Sequence, residues 1–195
     1  MTRTHAAATR ILVPIVALSL FLGALAAHSS AEAQGRRDSS RLRLGLQGDL
    51  GYVRETDSGL VLGLTAQLGV QHNDLFAVYY QPRILAGSFF AGVSDGAVVA
   101  VYNTVVFDFT LADMVQLGVG PSLDLGVVGV CRANDCSGFG GAFFGADFKA
   151  ALALGARVPG GGRSGFVLAL HVHPTWIGPD RPITTVTLGF GVEAY

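Results

Sequence analysis

The chain has 195 residues, of which 50% are hydrophobic and only 14% charged, with 27 glycines and a formal net charge of −1. Ordinary soluble domains carry about 25% charged residues, and so glycine-rich a composition weighs against a helical bundle. The near-neutral balance gives no basic field for nucleic acid, and no nucleic-acid partner is expected.

The N-terminal segment reads as an address. Arg3 and Arg10 precede the apolar run Ile11–Ala27, and the small-residue triplet Ala31-Glu32-Ala33 follows, which is the charged, apolar and cleavable order of a secretory signal peptide. The run is short for a transmembrane anchor and has no positive stop-transfer flank behind it, so residues 1–33 are assigned to a leader cleaved after Ala33. Residues 34–40 form a short polar lead-in, and residues 41–195 form one domain.

From Leu42 onward apolar residues fall at every second position, beginning with Leu42, Leu44, Leu46, Leu50 and Tyr52 set against Arg41, Arg43, Gln47, Asp49 and Val53. A period of two defines β-strands with two chemically different faces. Turn residues divide the domain into eight strands, at about 41–54, 60–71, 75–87, 97–111, 114–128, 142–158, 166–177 and 183–195. After the leader no apolar stretch is long enough to span a membrane as a helix. Together these features predict an all-β fold, a closed antiparallel up-and-down transmembrane β-barrel. The connections at 72–74 and 112–113 are very short, whereas 88–96 and 129–141, of the opposite parity, are the longest. That asymmetry predicts periplasmic turns and longer outer loops.

Aromatic residues sort to the strand ends. With the chain starting on the periplasmic side, Phe76, Phe107, Phe109, Phe166, Phe190 and Tyr195 fall toward one interface, and Tyr52, Phe89, Phe90, Phe143, Phe144 and Trp176 toward the other. Two belts separated by aliphatic residues are what rings at two membrane interfaces produce. Pro82, Pro121 and Pro174 each remove a backbone donor inside a strand, for which bulges are the expected accommodation. Asn103 falls among lipid-facing residues, which requires either a local phase shift or an exposed amide.

The inward phase includes Arg43, Gln47, Asp49, Thr65, Gln67, Tyr79, Gln81, Arg83, Tyr102, Asp108, Gln116, Asp124, Asp147, Lys149, Arg157, His171, His173 and Glu193. Buried charges of both signs predict ion pairs across a filled lumen, since an eight-stranded barrel is just wide enough for side chains. Registers set from loop centres place Asp124, Asp147 and Lys149 together in the outer half, and Arg43, Arg157 and Glu193 together in the periplasmic half. His171 and His173 share a face, acceptable for a metal, but no ligand spacing with further partners accompanies them, so a hydrogen-bonded network is the expectation and no metal or cofactor is assigned. Cys131 and Cys136 fall in one loop, where an oxidising envelope favours a disulfide.

On strand count, face alternation, leader, belts and the terminal aromatic Tyr195, residues 41–195 resemble the small eight-stranded outer-membrane barrels, the group that includes the OmpA transmembrane domain and OmpX. The resemblance implies the outer membrane of a Gram-negative bacterium, outer-membrane lipid as surroundings and the outer-membrane assembly machinery as a partner during biogenesis. By that resemblance the terminal aromatic is part of the assembly signal, although the apolar positions Val186, Leu188, Phe190, Val192 and Ala194 are out of phase with Tyr195, which either follows the strand or marks a bulge. Some barrels of this architecture modify lipid A, yet the outward phase here offers no histidine beside a nucleophile, so no enzyme activity is expected. A structural or surface-interaction role is the expectation, with a soluble lipocalin-like carrier and a lipid-modifying enzyme as alternatives; no motif specifies an extracellular partner.

Overall fold

A computed structural model describes residues 40–54, 58–91, 94–111, 114–132, 135–157, 162–178 and 182–195, without the side chains of 89–91, 94–95, 128, 130–132 and 135–137. The leader assigned to residues 1–33 and residues 34–39 of the lead-in lie outside the described residues. Eight strands follow one another: β1 (Arg41–Arg54), β2 (Ser58–Gln71), β3 (Phe76–Ala91), β4 (Ser94–Leu111), β5 (Val115–Arg132), β6 (Asp135–Arg157), β7 (Arg163–Trp176) and β8 (Pro182–Ala194). Each pairs antiparallel with its sequence neighbours, and β8 closes on β1, giving a closed barrel in chain order. Closure pairs the first strand with the last, the condition a strand-built membrane span must meet. The start of β1 and the end of β8 define one end of the barrel, the terminal end; the β1–β2, β3–β4, β5–β6 and β7–β8 turns lie at the far end.

The segments 88–96 and 129–141 correct the sequence reading. Most of their residues are strand, so that β3 pairs with β4 up to Ala91↔Ser94 and β5 with β6 up to Arg132↔Asp135. Their Gly, Ser and Asp content suggests loops, but a hairpin partner directly opposite supplies pairing that outweighs weak strand propensity. Long extended hairpins therefore stand where long loops were expected. β6 outruns its other neighbour: its pairing with β7 stops at Phe144↔Trp176, and among the described residues Asp135–Phe143 pair with β5 alone.

The three prolines are accommodated without bulges. Pairing of β2 with β3 skips the residues opposite Pro82 between Thr65↔Arg83 and Leu68↔Tyr80, yet the register is unchanged on either side. The same holds at Pro121, between Thr104↔Ser122 and Phe107↔Val119, and at Pro174, between Gly145↔Thr175 and Phe148↔Val172. The lost donor costs a local gap in the ladder and no shift of faces. Asn103 likewise keeps its phase and points outward; the Tyr80 hydroxyl donates to its Oδ1 at 2.6 Å and its Nδ2 donates to the Leu123 carbonyl at 3.1 Å. An exposed amide is thus held with both its groups engaged.

Outside, the wall is apolar, with Leu62, Leu123, Leu152, Leu170 and Leu188 all exposed. Of the aromatics, Phe107, Phe109, Phe166 and Phe190 are exposed toward the terminal end, where Phe76 meets Phe109 at 5.2 Å and Phe166 stacks on Phe190 at 5.8 Å. Tyr52, Phe144 and Trp176 are exposed toward the far end. Two belt residues turn inward instead. Phe143 lines the barrel mouth, and Tyr195, just past the end of β8, lies with its ring 5.1 Å from the Arg43 guanidinium. Backbone bonds between Arg163 and Tyr195 in both directions hold the chain end there, which accounts for its phase without a bulge. The side chains of Phe89 and Phe90 lie outside the described residues.

Inside, large side chains fill the lumen opposite glycines. A Cβ on Gly69 would lie 2.3 Å from the Tyr79 Cβ, and one on Gly145 would lie 2.1 Å from the Asp124 carboxylate. Such small–large alternation is how a narrow barrel is packed.

Candidate functional site

Near the terminal end, β1, β3, β4, β5, β6 and β8 bring two cations and two carboxylates together on the barrel axis. Arg43, which has no exposure, donates to Glu193 at 3.0 Å, to Gln116 at 2.9 Å and to Gln71 at 3.1 Å, and its other charged neighbour Asp108 is 3.6 Å away. Lys149 donates to Asp108 at 2.9 Å, to Gln116 at 2.8 Å and to the Tyr79 hydroxyl at 3.0 Å, while that hydroxyl donates to Asp108 at 2.7 Å. The Arg43 guanidinium also sits 4.7 Å above the Tyr79 ring. Charges balance within the layer, as buried ions require.

Toward the far end the second cluster centres on Asp147. One oxygen accepts from Arg83 at 3.2 Å and from His173 Nδ1 at 3.3 Å; the other accepts from His171 Nδ1 at 2.9 Å and from Gln81 at 3.1 Å. His173 then reaches Asp124 through Nε2 at 2.9 Å, and Thr175 donates to the same Asp124 oxygen at 2.6 Å. His173 thus bridges two carboxylates, Asp147 through Nδ1 and Asp124 through Nε2. Its imidazole stacks on Tyr102 with centroids 3.9 Å apart and planes 3° from parallel. Below it, Asp49 accepts from Thr65 at 2.5 Å, and Thr65 accepts from Arg83 at 2.9 Å.

The residues singled out from sequence divide accordingly. Arg43 and Glu193 meet in the terminal layer; Asp124, Asp147, His171 and His173 meet in the far-end layer. Lys149 belongs to the terminal layer rather than beside Asp124 and Asp147. The β5–β6 register, which runs up to Arg132↔Asp135, sets Gly120 against Asp147 and Gly118 against Lys149, so each step moves one layer away from Asp124. Arg157 is exposed and does not join Arg43: its pair Arg157↔Arg163 stands at the rim, beyond the layer of Glu193. Asp108, Tyr79, Gln116 and Arg83 carry as many of the contacts as the residues singled out, and their inward phase was the signal for them. Among the described residues no group of three or more His, Cys, Asp and Glu side chains is arranged to hold a metal ion.

Above Asp124 the inward phase turns apolar. Val53, Val61, Leu85, Val98 and Ala100 are buried around Tyr102, with Ile183 packed against them. Valine and leucine continuing the inward phase of β1 to β4 are the sequence sign of this region, which polar inward positions alone do not mark.

The fold is similar to that of solved outer-membrane barrels. Neisserial surface protein A superposes with a TM-score of 0.55 over 80% of this chain and 97% of its own, at 14% identity. The attachment invasion locus protein Ail of Yersinia pestis gives 0.52 over 80% and 99%, at 15% identity. No protein-family model and no curated protein sequence matches the chain. At such identities the likeness is one of fold: a small eight-stranded outer-membrane barrel with a polar, buried lumen.

Proposed function

We propose that this chain is an integral protein of a Gram-negative outer membrane, non-enzymatic and not a wide pore, whose role is exercised at the surface through its far-end hairpins. The observation carrying this reading is the inside-out distribution of its side chains: an apolar exterior around a lumen filled by bonded charged groups. A lipocalin-like carrier requires the reverse, a polar exterior around an apolar cavity through most of its height. The strand histidines His171 and His173 have no exposure and are engaged with carboxylates, which supports a wall without catalytic machinery facing lipid. The long β5–β6 hairpin, one of whose strands pairs on one side alone at Asp135–Phe143 among the described residues, is the natural contact element, since such an edge offers backbone groups to an extended partner.

Fractionation tests the reading directly. Residues 34–195 should be recovered with outer membrane, should migrate faster on gels when unheated, and should give no stepwise conductance in planar bilayers. Recovery as a soluble monomer without detergent refutes the membrane placement, and stable conductance steps refute the closed lumen.

The same reading gives the cysteines a local role. The backbone register sets Cys131 directly opposite Cys136, the side chains themselves lying outside the described residues. Opposed residues of an antiparallel pair have Cα atoms about 4.5–5.5 Å apart, within the span of a disulfide. Protein purified under oxidising conditions is expected to contain no free thiol by mass spectrometry. The double substitution Cys131→Ser with Cys136→Ser should keep the barrel and make the hairpin tip easier to cleave; loss of the barrel would show that the bond is more than local.

A further inference from the structure

The apolar far-end mouth forms a small cup, of about 40 Å³ and partly open to solvent, in which a ligand would be seated at the mouth rather than enclosed. Val53, Val98, Phe139, Phe143 and Ile183 form its walls, and Tyr102 and Asp124 lie at its depth. Among the described residues lining it, Asp124 alone is charged. That carboxylate is 1% exposed and only half used: Oδ2 accepts from His173 and Thr175, while Oδ1 is buried with no hydrogen-bond partner among the described residues.

Beneath the cavity three carboxylates, Asp49, Asp124 and Asp147, meet one arginine, Arg83, and two histidines, His171 and His173. A buried acceptor under an apolar cup favours a ligand with a positive donor at one end and hydrocarbon at the other. Phe139 and Phe143, with ring centroids 5.5 Å apart, add aromatic surface of the kind that attracts a cation.

We propose that this mouth binds a small organic cation, an ammonium group on an apolar body, with the ammonium donating to Asp124 Oδ1 and the body packed against the valines and phenylalanines. This goes beyond the surface role proposed above. The site is separate from the bonded layers that fill the lumen, and its occupant enters from the far end without crossing them.

Phenethylammonium is a suitable probe, with 2-phenylethanol and phenylacetate as neutral and anionic counterparts. Calorimetric titration is done on the full barrel in neutral maltoside micelles, with empty micelles as blank. Such micelles hold the barrel whether or not it belongs to an outer membrane, so a negative titration and a negative fractionation are separate results. The expected outcome is saturable binding of the amine, at least tenfold weaker for the alcohol and none for the acid. Asp124→Asn should weaken the amine tenfold or more while leaving the alcohol nearly unchanged. Because that variant also alters the bonds of His173, Val98→Trp, which fills the cup from the wall and spares the carboxylate, should abolish binding with unheated gel mobility retained. Equal affinity for amine and alcohol, unchanged binding in both variants, or no saturable binding to the intact barrel would each overturn the proposal.

Discussion

Replacing Arg43 by Met is expected to destabilise the barrel by about 3–5 kcal/mol, the range for removing one partner of a buried ion pair. The side chain is fully buried and serves Glu193, Gln116 and Gln71 at once, with Asp108 close by. Without it, Lys149 still holds Asp108, but Glu193 keeps only the Gln116 amide and becomes an uncompensated buried charge. The measurement is urea unfolding from lipid vesicles, followed by gel mobility and by the fluorescence of Trp176, the only tryptophan. Adding Glu193→Gln to Arg43→Met should recover part of the loss, because it removes the stranded charge. A single-mutant loss under about 1 kcal/mol, the level of an exposed pair, is incompatible with the layer as described.

Leu64→Arg is expected to cost about 2–4 kcal/mol of insertion free energy, the range for a cation facing lipid at mid-depth. Leu64 faces outward near the middle of β2, opposite Gly48 on β1 and Ile84 on β3, the latter exposed like it. Its inward neighbour is not a neutral comparison: Thr65 has no exposure and already lies between Asp49 and Arg83, so an arginine there would crowd a second cation onto the first. The informative control is Ser164→Arg, exposed near the terminal end of β7, where the same substitution should cost about 0–1 kcal/mol. Folding into vesicles under graded urea gives both values. Equal costs at the two sites would mean that the apolar wall is not immersed in lipid.

Much of the wall could be read from the alternation alone. β1 runs over 41–54 as its pattern indicates, because a period of two survives whatever the partner strands are. The far-end hairpins could not, since Gly138, Gly140 and Gly141 carry no strand signal of their own and become strand only through the partner opposite them. The candidate site divides the same way. That Arg43, Asp124, Asp147 and Lys149 face inward follows from phase, but their heights follow from the registers, which depend on where each turn falls. A register shifted by a few residues sets Lys149 in another layer. The apolar mouth depends on the barrel ending where it does, which phase does not encode.

The proline gaps divide the molecule's hydrogen-bonded seams into two kinds. Those of β2–β3, β4–β5 and β6–β7 are each notched once, whereas the four hairpins β1–β2, β3–β4, β5–β6 and β7–β8 are laddered without interruption. The seam that joins the first strand to the last is also continuous, from Leu44↔Ala194 to Arg54↔Thr184. Local hairpins form at small loop-closure cost, but bringing β8 to β1 closes a loop of nearly the whole domain. The notches thus fall only between neighbouring hairpins, where chain connectivity already keeps partners close, and the most distant junction in sequence retains its full ladder.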